Sequence, residues 1–339
     1  MTETLDTSAE AELAPDVADF IRRSAAVFPP DSQRYSVAEQ RAMYRELCRV
    51  FAAPRPSGVT VTDARVPAAG REIPIRVYRP EGQGQGQGQG TGAGLLYLHG
   101  GGYVLGDLDS HDAITAELAA NAGVVLVAVD YRLAPEHPFP AAFEDCAAVL
   151  DTLVHEAARY GIDPARLGVG GDSAGGNLAA ALALRARDLG SLRARESGGP
   201  AIAAQILIYP GLGLRHDPSA ELGPMAGDSP LLSRDEIHFY DRAYLGPTAT
   251  TTDPYAAPLL ARDYAGLPPA EIFAAARDPL CADARVYARR LGEAGGAAEL
   301  HVAPGLVHGW LRARHDCAEA AEAFAALCAA TERLLRVKD

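Results

Sequence analysis

The chain has 339 residues, 48% of them apolar, and a formal net charge of −13. That is enough apolar material for one large α/β core with a lid. The acidic balance, with no basic run, argues against nucleic acid as a partner.

The N-terminal residues have neither the basic start nor the apolar stretch of a secretory leader. No apolar run reaches the ~18 residues needed to span a bilayer. The five cysteines, Cys48, Cys146, Cys281, Cys317 and Cys328, are odd in number, widely spaced and without a C-x-x-C pair. They suggest neither a zinc site nor a disulfide framework, and they fit a reducing compartment. The expectation is a soluble, cytoplasmic protein.

Residues 16–26 and 37–51 carry apolar side chains at three- and four-residue spacing, which predicts two helices. Pro29-Pro30 separates them. Residues 59–66 and 73–78 alternate apolar with polar, as a half-exposed antiparallel pair does. Residues 82–94 follow, with Gln-Gly four times over 83–90, and read as a surface connector.

The texture then changes. Continuous apolar runs at 94–98, 124–129, 167–170, 202–208, 271–275 and 299–303 read as strands. Residues 112–122, 141–160, 174–189, 283–294 and 318–335 read as helices. Strands buried on both faces and alternating with helices imply a mostly parallel sheet flanked by helices. The segment 211–263 breaks the rhythm and carries a helical piece at 234–244. An insertion at the C-terminal end of a strand sits where α/β enzymes bind ligands. Residues 1–55 and 211–263 are therefore expected to form a helical cap on a catalytic domain of residues 56–339.

The strongest local signal is Gly171-Asp172-Ser173-Ala174-Gly175. It follows a predicted strand and precedes a predicted helix, the context of a nucleophile elbow. The helix N-terminus there favours developing negative charge. A serine needs a base, and in this architecture the acid and the histidine follow it in the chain. His308 comes after the last predicted strand, before a glycine that permits a sharp turn. His301 falls within that strand and His315 lies in or near the final helix. Asp278 follows the preceding strand. The alternative acid, Asp283, reads as a helix-opening carboxylate.

His99-Gly100-Gly101-Gly102-Tyr103 follows the 94–98 strand. Consecutive glycines let backbone N–H groups converge on one point. Gly101, Gly102 and Ala174 are the expected oxyanion donors, and His99 is expected to fix the loop. The pattern is neither G-x-G-x-x-G nor a P-loop, so a nucleotide site is disfavoured. Tyr131, Arg132, Glu136 and His137 are expected to form a buried polar network bracing loops. Asp109, His111 and Asp112 read as helix-start residues. Tyr103, Asp172, Leu212 and Val307 are expected to face an acyl or alcohol group.

These stretches resemble the bacterial hormone-sensitive-lipase-like esterases, or family IV carboxylesterases, of the α/β-hydrolase fold. The matching segments are HGGGYVLGDLDSHD from His99, DYRLAPEHPFPA from Asp130, GDSAGGN from Gly171, DPL from Asp278, and His308-Gly309. The resemblance implies an eight-stranded α/β-hydrolase sheet with a helical cap and a Ser173–Asp278–His308 triad. It implies hydrolysis of short- to medium-chain acyl esters, a small-molecule ester as partner, and no metal or cofactor. Cys281 stands where arginine is common in the family, and Trp310 where phenylalanine is common. An amidase or deacetylase on the same scaffold, or a non-catalytic ligand receptor, are the rival readings. The last strand could also pair across a homodimer.

Overall fold

In the computed structural model, residues 13–82, 91–193, 202–217 and 229–336 are described. The Gln-Gly repeats at 83–90 lie outside them, as do 218–228 within the expected cap insertion.

Two helices come first, α1 (Pro15–Val27) and α2 (Val37–Val50). Ser36 opens α2 through a reciprocal capping box with Glu39, satisfying two otherwise orphaned donors. The hairpin of β1 (Val59–Ala68) and β2 (Arg71–Pro80) is antiparallel, with Val66 opposite Ile73. Then follow β3 (Gly92–Leu98), α3 (Asp112–Ala122), β4 (Val125–Val129), α4 (Ala141–His155), β5 (Ile162–Asp172) and α5 (Ala174–Arg193). The chain continues through β6 (Gln205–Ile208), α6 (Arg234–Leu245), β7 (Ala270–Arg277), α7 (Cys281–Glu293), β8 (Ala298–Val307) and α8 (Ala318–Leu335).

The sheet has eight strands in the order β1-β2-β4-β3-β5-β6-β7-β8. Only β1–β2 and β2–β4 pair antiparallel; every other neighbour is parallel. This is the mostly parallel sheet expected from the continuous apolar runs. β3, β4 and β6 are buried at every position, because helices cover both faces. Successive residues of β3 alternate between them. Leu96 and Leu98 join the apolar cluster under α4, α5 and α7, while Leu95 and Tyr97 join the one under α3 and α8.

The predicted 141–160 helix stops at His155, and Ala157–Tyr160 forms a separate 3-10 turn closed by Gly161 at φ 70°. The 202–208 strand begins only at Gln205, where pairing with β5 and β7 starts. β3, β5, β7 and β8 run parallel. The residues that follow them, His99, Ser173, Asp278 and His308, therefore emerge at one edge of the sheet.

Candidate active site

Ser173 occupies the turn between β5 and α5 at φ 54°, a left-handed conformation costly for a side-chain-bearing residue. The fold holds it there. Its N–H donates to Ile208 C=O at 2.9 Å, and its C=O accepts from Asn177 N–H at 3.1 Å. A Cβ on Gly171 would lie 2.3 Å from Leu98 O, and one on Gly175 only 1.9 Å from the same atom. The two glycines flanking the serine are thus required by the close passage of β3.

Ser173, His308 and Asp278 form one continuous hydrogen-bonded chain. Ser173 Oγ lies 2.9 Å from His308 Nε2. His308 Nδ1 lies 2.7 Å from Asp278 Oδ2. Asp278 is buried, and its other oxygen accepts the Leu280 N–H at 2.9 Å, so the carboxylate is held at both ends. Burial opposes charge on His308, but the charge and hydrogen bond of Asp278, then Asp172 and Glu236, outweigh it and raise its pKa above 6.5. The rival residues are occupied elsewhere. Asp283 Oδ2 accepts the Leu212 N–H at 2.7 Å. His301 pairs with Glu271 and His315 with Glu117.

The glycine loop is braced from beneath. Asp172 Oδ1 accepts the Tyr97 O–H at 2.8 Å and the Gly100 N–H at 3.0 Å. Burial alone would raise the Asp172 pKa; the charge and hydrogen bond of His111, the Tyr97 hydrogen bond and the charge of Arg312 pull it well below the carboxylate range. Val104 and Leu105 N–H groups close a turn on Gly101 C=O at 3.1 and 2.9 Å. Gly101 and Gly102 line the same cavity as Ser173, Ala174 and His308. Ala174 is the first residue of α5, where helical N–H groups have no partner within the helix.

His99 sits where the sequence suggested, under the glycine loop. Its Nδ1 meets Gly100 C=O at 2.9 Å, its ring stacks on Tyr131 at 4.2 Å, and burial pushes its pKa down to about 4. Tyr131 O–H donates to His99 C=O at 2.7 Å. The rest of that motif departs from expectation: Arg132 is tied to Asp145, but Glu136 and His137 are exposed. Glu136 reaches out to Arg41 of α2 at 2.7 Å. α3 opens at Asp112, whose carboxylate meets Arg55, Arg76 and Tyr78, while His111 turns inward toward Asp172 at 3.4 Å.

Of the four residues expected to face the substrate, Tyr103 and Asp172 line the cavity. Leu212 and Val307 do not: both are buried in the apolar core, at 0% and 1% exposure. Leu212 is taken up by the apolar cluster on the α4, α5 and α7 side of the sheet and Val307 by the one under α3 and α8, where apolar burial is favoured over facing the cavity. Cys281 and Trp310 also stay out of the cavity wall; Trp310 is buried edge-on to Tyr209.

The cavity, about 150 Å³, is closed by residues from both expected cap segments. Phe20, Phe28, Tyr44 and Leu47 come from the N-terminal part, and Arg215, Glu236, Tyr240 and Asp241 from the later one. None of these eight was singled out in the sequence. One signal was legible, the Ser233-x-x-Glu236 capping box that opens α6. Arg312 was also missed. It donates to Tyr44 O–H at 2.8 Å and Ser110 C=O at 3.2 Å, linking the histidine loop to α2. Among the described residues, one cluster has ligand atoms close enough for a metal, Glu271, Glu299 and His301. It is not part of the cavity wall, and Arg333 already bridges its two carboxylates.

The chain has relatives among known proteins. A family model described as alpha/beta hydrolase fold matches residues 95–312. The chain is 40% identical over 279 residues to the carboxylic ester hydrolase LipN of Mycobacterium tuberculosis, covering 81% of this chain and 70% of that one. It is 35% identical to an ethyl acetate hydrolase of Pseudomonas putida, over 95% of this chain and 99% of that one. Among solved structures, an esterase of Pyrobaculum calidifontis superposes with a TM-score of 0.82 at 32% identity, over 95% and 99% of the two chains. A bacterial heroin esterase superposes with a TM-score of 0.83 at 34% identity, over 96% and 98%. The chain therefore belongs to the alpha/beta hydrolase fold family, within its hormone-sensitive-lipase-like carboxylic ester hydrolases.

Proposed function

We propose that this protein hydrolyses short- to medium-chain acyl esters of small alcohols through a covalent acyl-enzyme. The observation that carries the reading is the continuous Ser173–His308–Asp278 hydrogen-bonded chain at 2.9 and 2.7 Å, opening on one cavity. Ser173 Oγ attacks the ester carbonyl as His308 Nε2 takes its proton. Asp278 orients the imidazole and stabilises its charged form. The oxyanion is held by the N–H groups of Gly101, Gly102 and Ala174. His308 returns the proton to the leaving alcohol. Water, losing a proton to the same nitrogen, then cleaves the Ser173 ester and releases the acid.

Segments 1–55 and 211–263 are assigned to the cap, since the described parts of both supply cavity wall. No helix among the described residues is long and apolar enough to cross a membrane, and all five cysteines are free thiols. The free thiols support a reducing, cytoplasmic setting. Ser173→Ala should lower turnover of p-nitrophenyl butyrate by about 10⁶ with the fold intact. Undiminished turnover by that variant would refute the assignment. A matched ester and amide pair separates esterase from amidase.

A further inference from the structure

The cavity wall carries an ion pair that the reaction does not use. α6 supplies Glu236, Tyr240 and Asp241 to that wall. Glu236, near the start of the helix, interacts electrostatically with His308. Asp241 lies five residues on, about 7.5 Å along the axis. Tyr244, further still, stacks on Tyr103 with ring centroids 3.6 Å apart. In sheet order β3 and β8 lie on opposite sides of β5, so the helix runs from the side of His308, which follows β8, toward that of Tyr103, which follows β3.

Asp241 is buried, and its carboxylate faces the guanidinium of Arg215, with Nε donating to Oδ2 at 2.5 Å and a second contact through the terminal nitrogen. Arg215 stands four residues after Gly211, whose N–H reaches Ser173 C=O at 3.3 Å. Asp241 stands one residue after Tyr240, whose ring would lie only 2.4 Å from a Cβ on Gly102. The pair therefore joins the two walls that flank the nucleophile and the oxyanion loop. His308 passes its proton to the leaving alcohol, so the alcohol lies on the histidine side and the acyl group points the other way.

We propose that the Arg215–Asp241 pair closes the acyl pocket and makes the enzyme selective for acetyl to butyryl groups, a refinement that rests on the ester-hydrolase reading above. A longer alkyl chain would press methylenes against fixed charges. Displacing the guanidinium would leave the buried Asp241 carboxylate with only His216, whose Nε2 stands 3.9 Å from Oδ2, and loss of the direct partner of a buried charge is strongly unfavourable. The pair acts on specificity and touches no reacting atom.

The test is the double variant Arg215→Met/Asp241→Leu, which removes both charges at once because a well-packed apolar replacement of a buried pair is tolerated where a single replacement is not. kcat/KM is measured on p-nitrophenyl acetate, butyrate, hexanoate and octanoate. The octanoate-to-acetate ratio should rise by about tenfold or more, the scale of one or two methylenes gaining an apolar pocket. An unchanged ratio overturns the proposal. A second measurement uses only the natural chain. Lengthening the acyl group of an ethyl ester beyond butyryl should cut kcat/KM steeply, whereas lengthening the alcohol of an acetate should not. A natural enzyme that prefers octanoyl esters overturns the proposal even if the double variant fails to fold. An enzyme that cleaves none of these esters overturns the hydrolase reading instead.

Discussion

His308 is held between opposing influences: burial favours its neutral form, and the adjacent Asp278 carboxylate favours its charged form and prevails. The histidine must be neutral to accept the serine proton, so kcat/KM should rise with pH along a limb centred above 6.5. Stability runs the other way. A raised folded-state pKa contributes stability that is fully present below the unfolded value of 6.5 and is lost as pH rises through the folded value. Asp278→Asn should cut kcat by about 10⁴, as loss of the orienting carboxylate does in serine hydrolases, and move the acid limb of the residual activity to lower pH. A pH–rate profile of the two proteins checks both. Asp172 acts differently. It anchors Gly100 N–H and Tyr97 O–H in a buried place. Asp172→Ala should cost about 1–3 kcal/mol for the donors it strands, seen as a lower melting temperature together with a lower kcat as the glycine loop loosens.

At the level of elements, the turn at Ser173 was legible because its constraint, though imposed by a distant strand, is written in five consecutive residues. Gly171 and Gly175 are dictated by the passage of Leu98, and the sequence pattern around Ser173 records that requirement directly. The parallel strands were legible for a related reason, since burial on both faces removes alternation. Boundaries were less so. Where β6 begins depends on pairing with β5 and β7, which no stretch of 202–208 encodes. The cap was legible only as an interruption. Its contacts join residues far apart in the chain: Ser32 donates to Glu236 at 3.1 Å across 204 positions, and Arg215 grips Asp241. The apolar character of Leu212 and Val307 gave no indication of which way they face. One local device in the cap is testable by itself. Ser233→Ala removes the capping box of α6 and should cost about 1 kcal/mol. Faster amide hydrogen exchange over Arg234–Leu245, with an unchanged rate in α5, is the expected result.

For the whole molecule, one strongly buried sheet presents four strand ends at a common edge, and two separate stretches of chain cover that edge. The proposed catalytic groups follow the buried strands, and much of the cavity wall comes from the two covering stretches. Removing residues 1–55 should therefore leave Ser173 reactive while raising KM for a p-nitrophenyl ester by about tenfold or more, equivalent to roughly 1.4 kcal/mol of lost binding. Steady-state kinetics on the truncated chain would show it. The family resemblance carried by HGGG, GDSAG, DPL and His308-Gly309 agrees with the alpha/beta hydrolase match over 95–312. We propose Ser173 as the activated nucleophile, and mass spectrometry after treatment with a p-nitrophenyl phosphonate reads its reactivity at the residue itself. One equivalent of adduct on the peptide containing Ser173, formed in step with loss of ester hydrolysis, is the predicted result. Loss of activity with Ser173 unmodified, or full modification with activity retained, would contradict it.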